Sequence, residues 1–333
     1  MRLSHVSKVV VFLMMFVVLA ACGNSTNGGN TNTSTESNAS TSEASVSAAA
    51  EKEATTRKIS TPSGEVEIPA NPKKIVTDGY LPELLVLGVK PVGSTAWELE
   101  NKVIQDQIQG IKSTGERSFE AMLALEPDLI VTWTSEKNII EQYEKIAPTI
   151  SIPYGHYKDI HDTMRFFGEA LGKANEAEQW LADFDKTVAE SRAQLAGIVK
   201  PEDTFALMGV FVVDKGFYIY ADGGYRGGEA IYRHLQLTPP AKQKQEMVGK
   251  EQYKQISYEV VGDYAGDYIF LDQGDMIKEV WGKNDGIWKT LDAVKNNRVF
   301  QLDPNLFWGN DPISLKLQIQ EVVKMLSERA KQS

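Results

Sequence analysis

Cysteine is almost absent from this 333-residue chain. Cys22 is the only one, so no internal disulfide can form and the fold must rest on its apolar core. Histidine is scarce as well. Beyond the N-terminal stretch only His156, His161 and His234 occur, too few and too scattered for the knot of nitrogen and carboxylate ligands that a bare metal ion needs. Basic residues are outnumbered, 35 Lys and Arg against 45 Asp and Glu, and the net charge of −10 leaves no electrostatic footprint for nucleic acid. The sequence also lacks a Gly-x-Ser-x-Gly elbow, a phosphate-binding loop and a His-Glu-x-x-His pair. Its many carboxylates form no readable acid–base pair, so nothing here marks an enzyme. Long hydrophobic runs are missing too, apart from Val9 to Val18, which is too short to be a convincing membrane span.

That one apolar run is informative because of its neighbours. Arg2 and Lys8 precede it and Leu19-Ala20-Ala21-Cys22 follows, the layout of an export signal over residues 1–21. The four residues ending at Cys22 resemble the lipobox of bacterial lipoproteins. The resemblance implies lipid on Cys22 and a mature protein held at the extracytoplasmic face of the cell membrane. The plainer alternative is an ordinary signal peptide with an incidental cysteine. Residues 22–56 are Asn, Ser, Thr, Gly, Ala and Glu with almost nothing to bury, which predicts a disordered tether. As a flexible coil it would reach about 30–35 Å.

From residue 57 on, apolar strand-like runs alternate with helical periodicity. Lys74–Thr77, Leu129–Thr132 and Thr149–Ile152 read as short buried strands, Gly88–Gly93 as another strand unit, and Phe119–Leu125 and Glu136–Ile146 as helices between them. A longer helix then interrupts the alternation. Ala177, Trp180, Leu181, Phe184, Val188 and Leu195 recur at helical spacing, and Gly197 and Pro201 end the run. The βα pattern resumes with Thr204–Val213, Phe217–Tyr220, Gly228–Leu235, Tyr268–Leu271 and Arg298–Leu302, and a helix from about Ser314 closes the chain. The expected fold is α/β: two Rossmann-like lobes, residues 57–172 and 198–333, with mostly parallel sheets, joined by one long rigid helix over 173–197. A surface helix within one larger domain is the alternative. A faint repeat accompanies the two halves. Ser118-Phe119-Glu120 and Ser257-Tyr258-Glu259 each stand eight residues ahead of an aspartate that opens an apolar strand, Asp128 and Asp267.

Three further stretches carry a family resemblance. They are Gly64-Glu65-Val66-Glu67-Ile68-Pro69 leading to Asn71-Pro72-Lys73-Lys74-Ile75-Val76, then Leu123-Ala124-Leu125-Glu126-Pro127-Asp128-Leu129-Ile130, and Asn310-Asp311-Pro312-Ile313-Ser314. Together with the lipobox, they resemble the substrate-binding lipoproteins of iron–siderophore ABC importers, the class whose lobes are joined by one rigid helix. The likeness covers about residues 57–330. It implies a ligand cleft between the lobes, a ferric siderophore as cargo with no resident cofactor, and a permease dimer with its ATPase as partner. It also implies that Glu120 and Glu259 dock onto permease arginines, where two solvated helix-start carboxylates would be the bland alternative. A monomer is expected.

In open α/β sheets the ligand sits outside the carboxyl ends of the strands. Tyr80, Trp97, Trp133, Tyr154, Phe307 and Trp308 all fall just past such ends, which suggests a cleft walled by flat apolar faces. The run Tyr220-Ala221-Asp222-Gly223-Gly224-Tyr225-Arg226-Gly227-Gly228-Glu229 adds glycines that admit close backbone approach and Arg226, whose planar fork suits oxygen ligands. Arg-Gly-Gly-Glu looks similar to the hydroxamate-siderophore binders of the family, whose arginine contacts the chelating oxygens. This chain departs from them by carrying Gly223, Gly224 and Tyr225 where those relatives place a tryptophan. One arginine among aromatics, Tyr225 included, points to a ligand of low charge and hence to a ferric hydroxamate. A catecholate siderophore, haem or cobalamin are the alternatives, and a bare metal ion is the least fitting.

Overall fold

Leu129-Ile130-Val131-Thr132 is the simplest place to see why this chain folds as it does. Three apolar residues, two of them β-branched, form a strand with every side chain buried, as a strand covered by helices on both faces requires. The computed structural model describes residues 55–282 and 286–332. The leader, Cys22 and all but the last two residues of the expected tether lie outside the described residues.

Twelve strands are described: β1 Thr56–Thr61, β2 Gly64–Pro69, β3 Ile75–Asp78, β4 Gly93–Ser94, β5 Lys112–Ser113, β6 Leu129–Thr132, β7 Thr149–Ser151, β8 Phe205–Phe211, β9 Gly216–Tyr220, β10 Tyr253–Ile256, β11 Tyr268–Asp272 and β12 Val299–Gln301. The first two form a hairpin of their own, beginning one residue inside the segment expected to be tether. The next five make a sheet in the order β5-β4-β3-β6-β7, and all its pairings are parallel. The last five make a second sheet in the order β10-β9-β8-β11-β12. The α/β architecture is therefore as the sequence implies. The second sheet departs from the expected parallel pattern, because β9 runs antiparallel to both β8 and β10. Only residues 212–215 separate β8 from β9, enough for a hairpin and far too few for a parallel crossover. The strand expected over Gly88–Gly93 shrinks to Gly93–Ser94. Gly88 turns to φ 71°, and Pro91 has no N–H to give a ladder.

The connecting helix spans Ala174–Leu195, about 33 Å of rod. Its buried face is Ala177, Leu181, Phe184, Val188, Ser191 and Leu195. It packs on the Ile160–Ala170 helix, where a Cβ on Gly168 would come within 2.6 Å of Ala177 Cβ. Its other neighbour is the C-terminal helix Pro312–Ala330, started by Asp311, whose carboxylate accepts from the N–H groups of Ile313 and Ser314 at 3.0 and 2.9 Å. This last helix also reaches the Leu81–Val86 helix beside the first sheet, so the C-terminal third of the chain is not confined to the second lobe. One apolar cluster accordingly runs from Ile75 and Leu129 through Phe184 to Phe205 and Leu315. Glu53–Ser333 is one compact unit.

The repeated aspartates do the same work in both halves. Asp128 accepts from the backbone N–H groups of Lys73 and Lys74 at 2.7 and 2.9 Å, just ahead of β3. Asp267 accepts from the N–H and hydroxyl of Thr204 at 2.9 and 2.7 Å, just ahead of β8. Each clamps the start of its sheet's first strand to the strand that it opens. Among the described residues no helix is long and apolar enough to cross a membrane.

Candidate functional site

The carboxyl ends of β4, β6 and β7 carry three aromatic side chains into one group. Trp97 lies flat on Trp133, centroids 4.7 Å apart and planes 13° apart, and Tyr154 meets Trp133 edge-on at 5.5 Å. Trp97 and Tyr154 are 45% and 53% exposed, so the group presents an apolar face to solvent. Two features hold it. Gly79, at φ 125°, lets Trp133 lie where any Cβ would come within 2.5 Å of the indole. Beneath Trp97, the buried Glu98 accepts from the N–H groups of Gly79 and Leu81 at 3.0 and 2.8 Å and from the Ser94 hydroxyl at 2.6 Å. Burial raises the Glu98 carboxyl, against the pull of those donors. One carboxylate thus ties together the loops after β3 and β4.

The opposing face comes from the glycine-rich run after β9. Arg226 takes a left-handed backbone, φ 55°, and is only 3% exposed. Its guanidinium sits 4.1 Å from the centroid of Trp308, which is itself 54% exposed, and 5.8 Å from that of Phe211. The Nε atom lies 3.2 Å from Asp272 Oδ2 at the end of β11. Around it the glycines are there for close approach. A Cβ on Gly224 would come within 2.4 Å of Asn310, and one on Gly228 within 1.8 Å of the Ala221 carbonyl oxygen. Asn310 in turn donates to Glu229 at 3.0 Å. Tyr225 stands edge-on to Tyr253 at 5.6 Å. The two faces meet at Tyr154, whose hydroxyl is pushed up to about 12 by partial burial and by Tyr225 and Glu229 from the other side.

Two of the expected wall residues are placed elsewhere. Tyr80 turns into the core beside Phe167, ring centroids 4.9 Å apart, and its hydroxyl donates to the Ile152 carbonyl at 2.8 Å. Phe307 is fully buried against Gly227, whose φ of 86° leaves room for the ring where a Cβ would come within 2.5 Å. Tyr80 sits two residues past β3 and Phe307 six past β12, and such loops pack inward as well as outward. Phe307 and Tyr80 support the walls and offer no surface to a ligand. Asp272 and Glu98, in contrast, belong to no motif of the sequence. The signal for Asp272 is a charge that closes an otherwise apolar strand. Glu98 gives none beyond its position after Trp97.

Glu120 and Glu259 are both exposed, each two residues after a serine at the N-cap position of a helical turn. Ser118 accepts from the Ala121 N–H at 3.2 Å, and the Ser257 hydroxyl holds the Glu259 carboxyl below its ordinary range. The aromatic beside each points inward, Phe119 onto Tyr143 at 5.6 Å and Tyr258 to the Ile287 N–H at 2.5 Å. Next to Glu120 runs a groove of about 440 Å³ between two helices, and Leu123, 59% exposed, lines it. Among the described residues, no group of three His, Cys, Asp or Glu side chains is arranged to hold a metal ion.

Two α/β lobes on one connecting helix, with an aromatic face opposite a buried arginine, define a bilobal binding protein. Residues 76–306 match the periplasmic binding protein family, and the chain belongs to it. The Iron(3+)-hydroxamate-binding protein YxeB of Bacillus subtilis is 36% identical over 331 residues, which cover 97% of this chain and 96% of that one. A FhuD fold-family periplasmic binding protein of a ferrichrome ABC transporter from Bacillus subtilis superposes with a TM-score of 0.73 at 33% identity, over 81% of this chain and all of the other. FhuD2 from Staphylococcus aureus with bound ferrioxamine B superposes at 0.68 with 26% identity, over 78% of this chain and 100% of that one. The family is one of transport proteins that bind a substrate.

Proposed function

We propose that this protein captures a ferric siderophore of the hydroxamate type outside the cell and delivers it to an ABC permease. The observation that carries the reading is Arg226, a buried cation under the exposed ring of Trp308, set across from the aromatic face of Trp97, Trp133 and Tyr154. A ferric hydroxamate is bulky, organic outside and rimmed by oxygens at the metal, so it needs both walls. Trp308 would swing or slide for Arg226 to reach those oxygens. The named ligands of the relatives, an iron–hydroxamate for YxeB and ferrioxamine B for FhuD2, support the same class.

The iron enters and leaves with its chelate as cargo, and the protein needs no cofactor of its own. Catalysis is no part of the proposal; ATP is used by the partner. Lipid on Cys22 would hold the body at the extracytoplasmic face of the membrane as a monomer, with residues 22–56 as its lead. Glu120 and Glu259, one on each lobe at matching places, would meet a basic, two-fold-related permease. The continuous core and shared C-terminal helix support a small change of shape on binding.

The test is tryptophan fluorescence of the purified protein titrated with a ferric hydroxamate, a ferric catecholate, haem and cobalamin. Saturable quenching by sub-micromolar hydroxamate, well below the concentration needed for the others, is expected. Quenching by catecholate, haem or cobalamin alone would replace the ligand class, and no response to any of the four would sink the reading.

A further inference from the structure

The last paired rung between the two central strands of each sheet carries a buried aspartate. In the first sheet Asp78 on β3 stands opposite Thr132 on β6, and in the second Asp272 on β11 stands opposite Gly209 on β8. Both have an arginine partner. Asp78 Oδ2 is well satisfied: it accepts from Arg117 Nε at 2.9 Å, from the Tyr143 hydroxyl at 2.9 Å and from the Thr132 hydroxyl at 3.0 Å. Asp272 has no such donors. Gly209 opposite it supplies no hydroxyl, and Arg226 Nε approaches Oδ2 at 3.2 Å without the direction of a hydrogen bond. Arg226 Nη1 and the Tyr220 hydroxyl beside it are likewise without hydrogen-bond partners. Of the ten buried side-chain polar atoms left so among the described residues, four belong to Tyr220, Arg226 and Asp272. Buried polar groups are nearly always paired, so a cluster of orphaned atoms under Trp308, with the Arg226 and Tyr220 donors among them, marks groups kept for a ligand.

The charge of this cluster has a consequence for ligand choice. Fe(III) held by three hydroxamate monoanions is neutral, whereas Fe(III) held by three catecholate dianions carries three negative charges. A lone buried arginine would draw the second far more strongly than the first, since attraction is barely screened in such a site. Here the arginine is not alone. Burial raises the Asp272 carboxyl to about 6 against the pull of Arg226, with the nearby Asp275 adding to the rise, so near neutral pH it is mostly ionised. The pair then presents donors with almost no net charge.

We propose that Asp272 sets the charge selectivity of the cleft: its carboxylate cancels the charge of Arg226, so that the site favours an electroneutral ferric chelate and rejects an anionic one. The inference rests on the siderophore reading of the site and adds the residue that discriminates within it. Asp272 acts through Arg226 and is a positioning and specificity residue, not itself a ligand to the chelate.

The experiment uses the whole chain, solubilised in mild detergent, as wild type and as Asp272→Asn, which keeps the shape and removes the charge. Asp272→Ser, smaller and uncharged, is made beside it, and thermal melts with near-ultraviolet circular dichroism identify the variants that fold. Each is titrated at pH 7.5 by fluorescence with a neutral ferric trihydroxamate and with a trianionic ferric tris-catecholate. Whatever happens to either affinity separately, the ratio of catecholate Kd to hydroxamate Kd is expected to fall at least tenfold when the carboxylate is lost. An unchanged ratio in a folded variant overturns the inference while leaving the siderophore reading intact. A wild type that binds neither chelate overturns both. A purely structural role for Asp272 would weaken both chelates alike and leave the ratio where it was.

Discussion

Trp97 and Trp133 lie nearly parallel with centroids 4.7 Å apart, although they stand 36 positions apart and follow different strands. Gly79 makes the space for one and Glu98 pins the loop of the other, so the stack is a built platform. Trp97 is half exposed, and its outer face has no partner in the fold to lose. Trp97→Ala loses the inner-face stack on Trp133 and is expected to destabilise the fold by about 1 kcal/mol, about 3 °C in melting temperature. Ligand affinity should fall about tenfold, about 1.4 kcal/mol. Calorimetric titration alongside a thermal melt checks both, and an unchanged Kd would remove Trp97 from the ligand wall.

Arg226→Ala should weaken ligand binding at least tenfold, about 1.4 kcal/mol, because it removes the one buried cation of the site. It should also destabilise the fold by leaving Asp272 buried without its countercharge. The sign of the pH dependence follows. Asp272 already binds its proton more tightly in the folded chain than in the unfolded one, and the loss of Arg226 raises that pKa further. Stability of the variant relative to wild type thus falls as pH rises through about 6. The melting-temperature deficit should be larger at pH 8 than at pH 5.

Replacing Glu120 and Glu259 together by Ala is expected to leave Kd for the chelate unchanged and to abolish uptake into cells that rely on this binder. Both side chains are exposed surface carboxylates, so neither fold nor site should respond. Normal uptake by the double variant would discard the docking reading.

His161 links the start of the Ile160–Ala170 helix to the connecting helix, with Nδ1 2.7 Å from Asp159 and Nε2 2.8 Å from Asp185. Burial disfavours its charge, but the two carboxylates outweigh that and raise its pKa above the ordinary histidine value. A raised histidine contributes stability that is fully present below its unfolded pKa of about 6.5 and is lost as pH rises through the folded value. His161→Gln should consequently lower the melting temperature more at pH 5.5 than at pH 9. An equal loss at both would mean that the histidine acts through packing on Phe184 alone, 6.2 Å between ring centroids.

Gly227→Ala is expected to cost affinity without touching the ligand. Its φ of 86° and the Phe307 ring 2.5 Å from an added Cβ both resist the change, and Arg226 is the preceding residue. Titration should show at least a tenfold loss of chelate affinity, and wild-type affinity would separate the turn from the placing of Arg226.

Much of the architecture is local and was readable as such. Leu129–Thr132 forms the strand expected of four buried residues, and the connecting helix carries the apolar stripe that its periodicity implies, from Ala177 to Leu195. The direction of β9 is a matter of loop length: the general βα alternation implies a parallel strand, whereas the short spacing after β8 allows only a hairpin. The site was harder. Aromatic residues past strand ends gave Trp97, Trp133, Tyr154 and Trp308, which the fold leaves half exposed or stacked, and equally gave Tyr80 and Phe307, which it buries. Nothing in the alternation of strand and helix tells which way a loop side chain turns.

The sequence by itself determined the α/β elements, the long helix between two sheets, and the repeated Glu–Asp spacing, since all of these follow from periodicity and turn chemistry along a few residues. Only the tertiary structure decided that Asp128 and Asp267 clamp equivalent strands, that the final helix serves both lobes, and that Arg226 comes within 3.2 Å of Asp272 across 46 positions of chain. The physical reason is range. Backbone preference acts over a turn or two, whereas burial, charge pairing and the stacking of rings depend on which distant segments the packed core brings within a few ångströms.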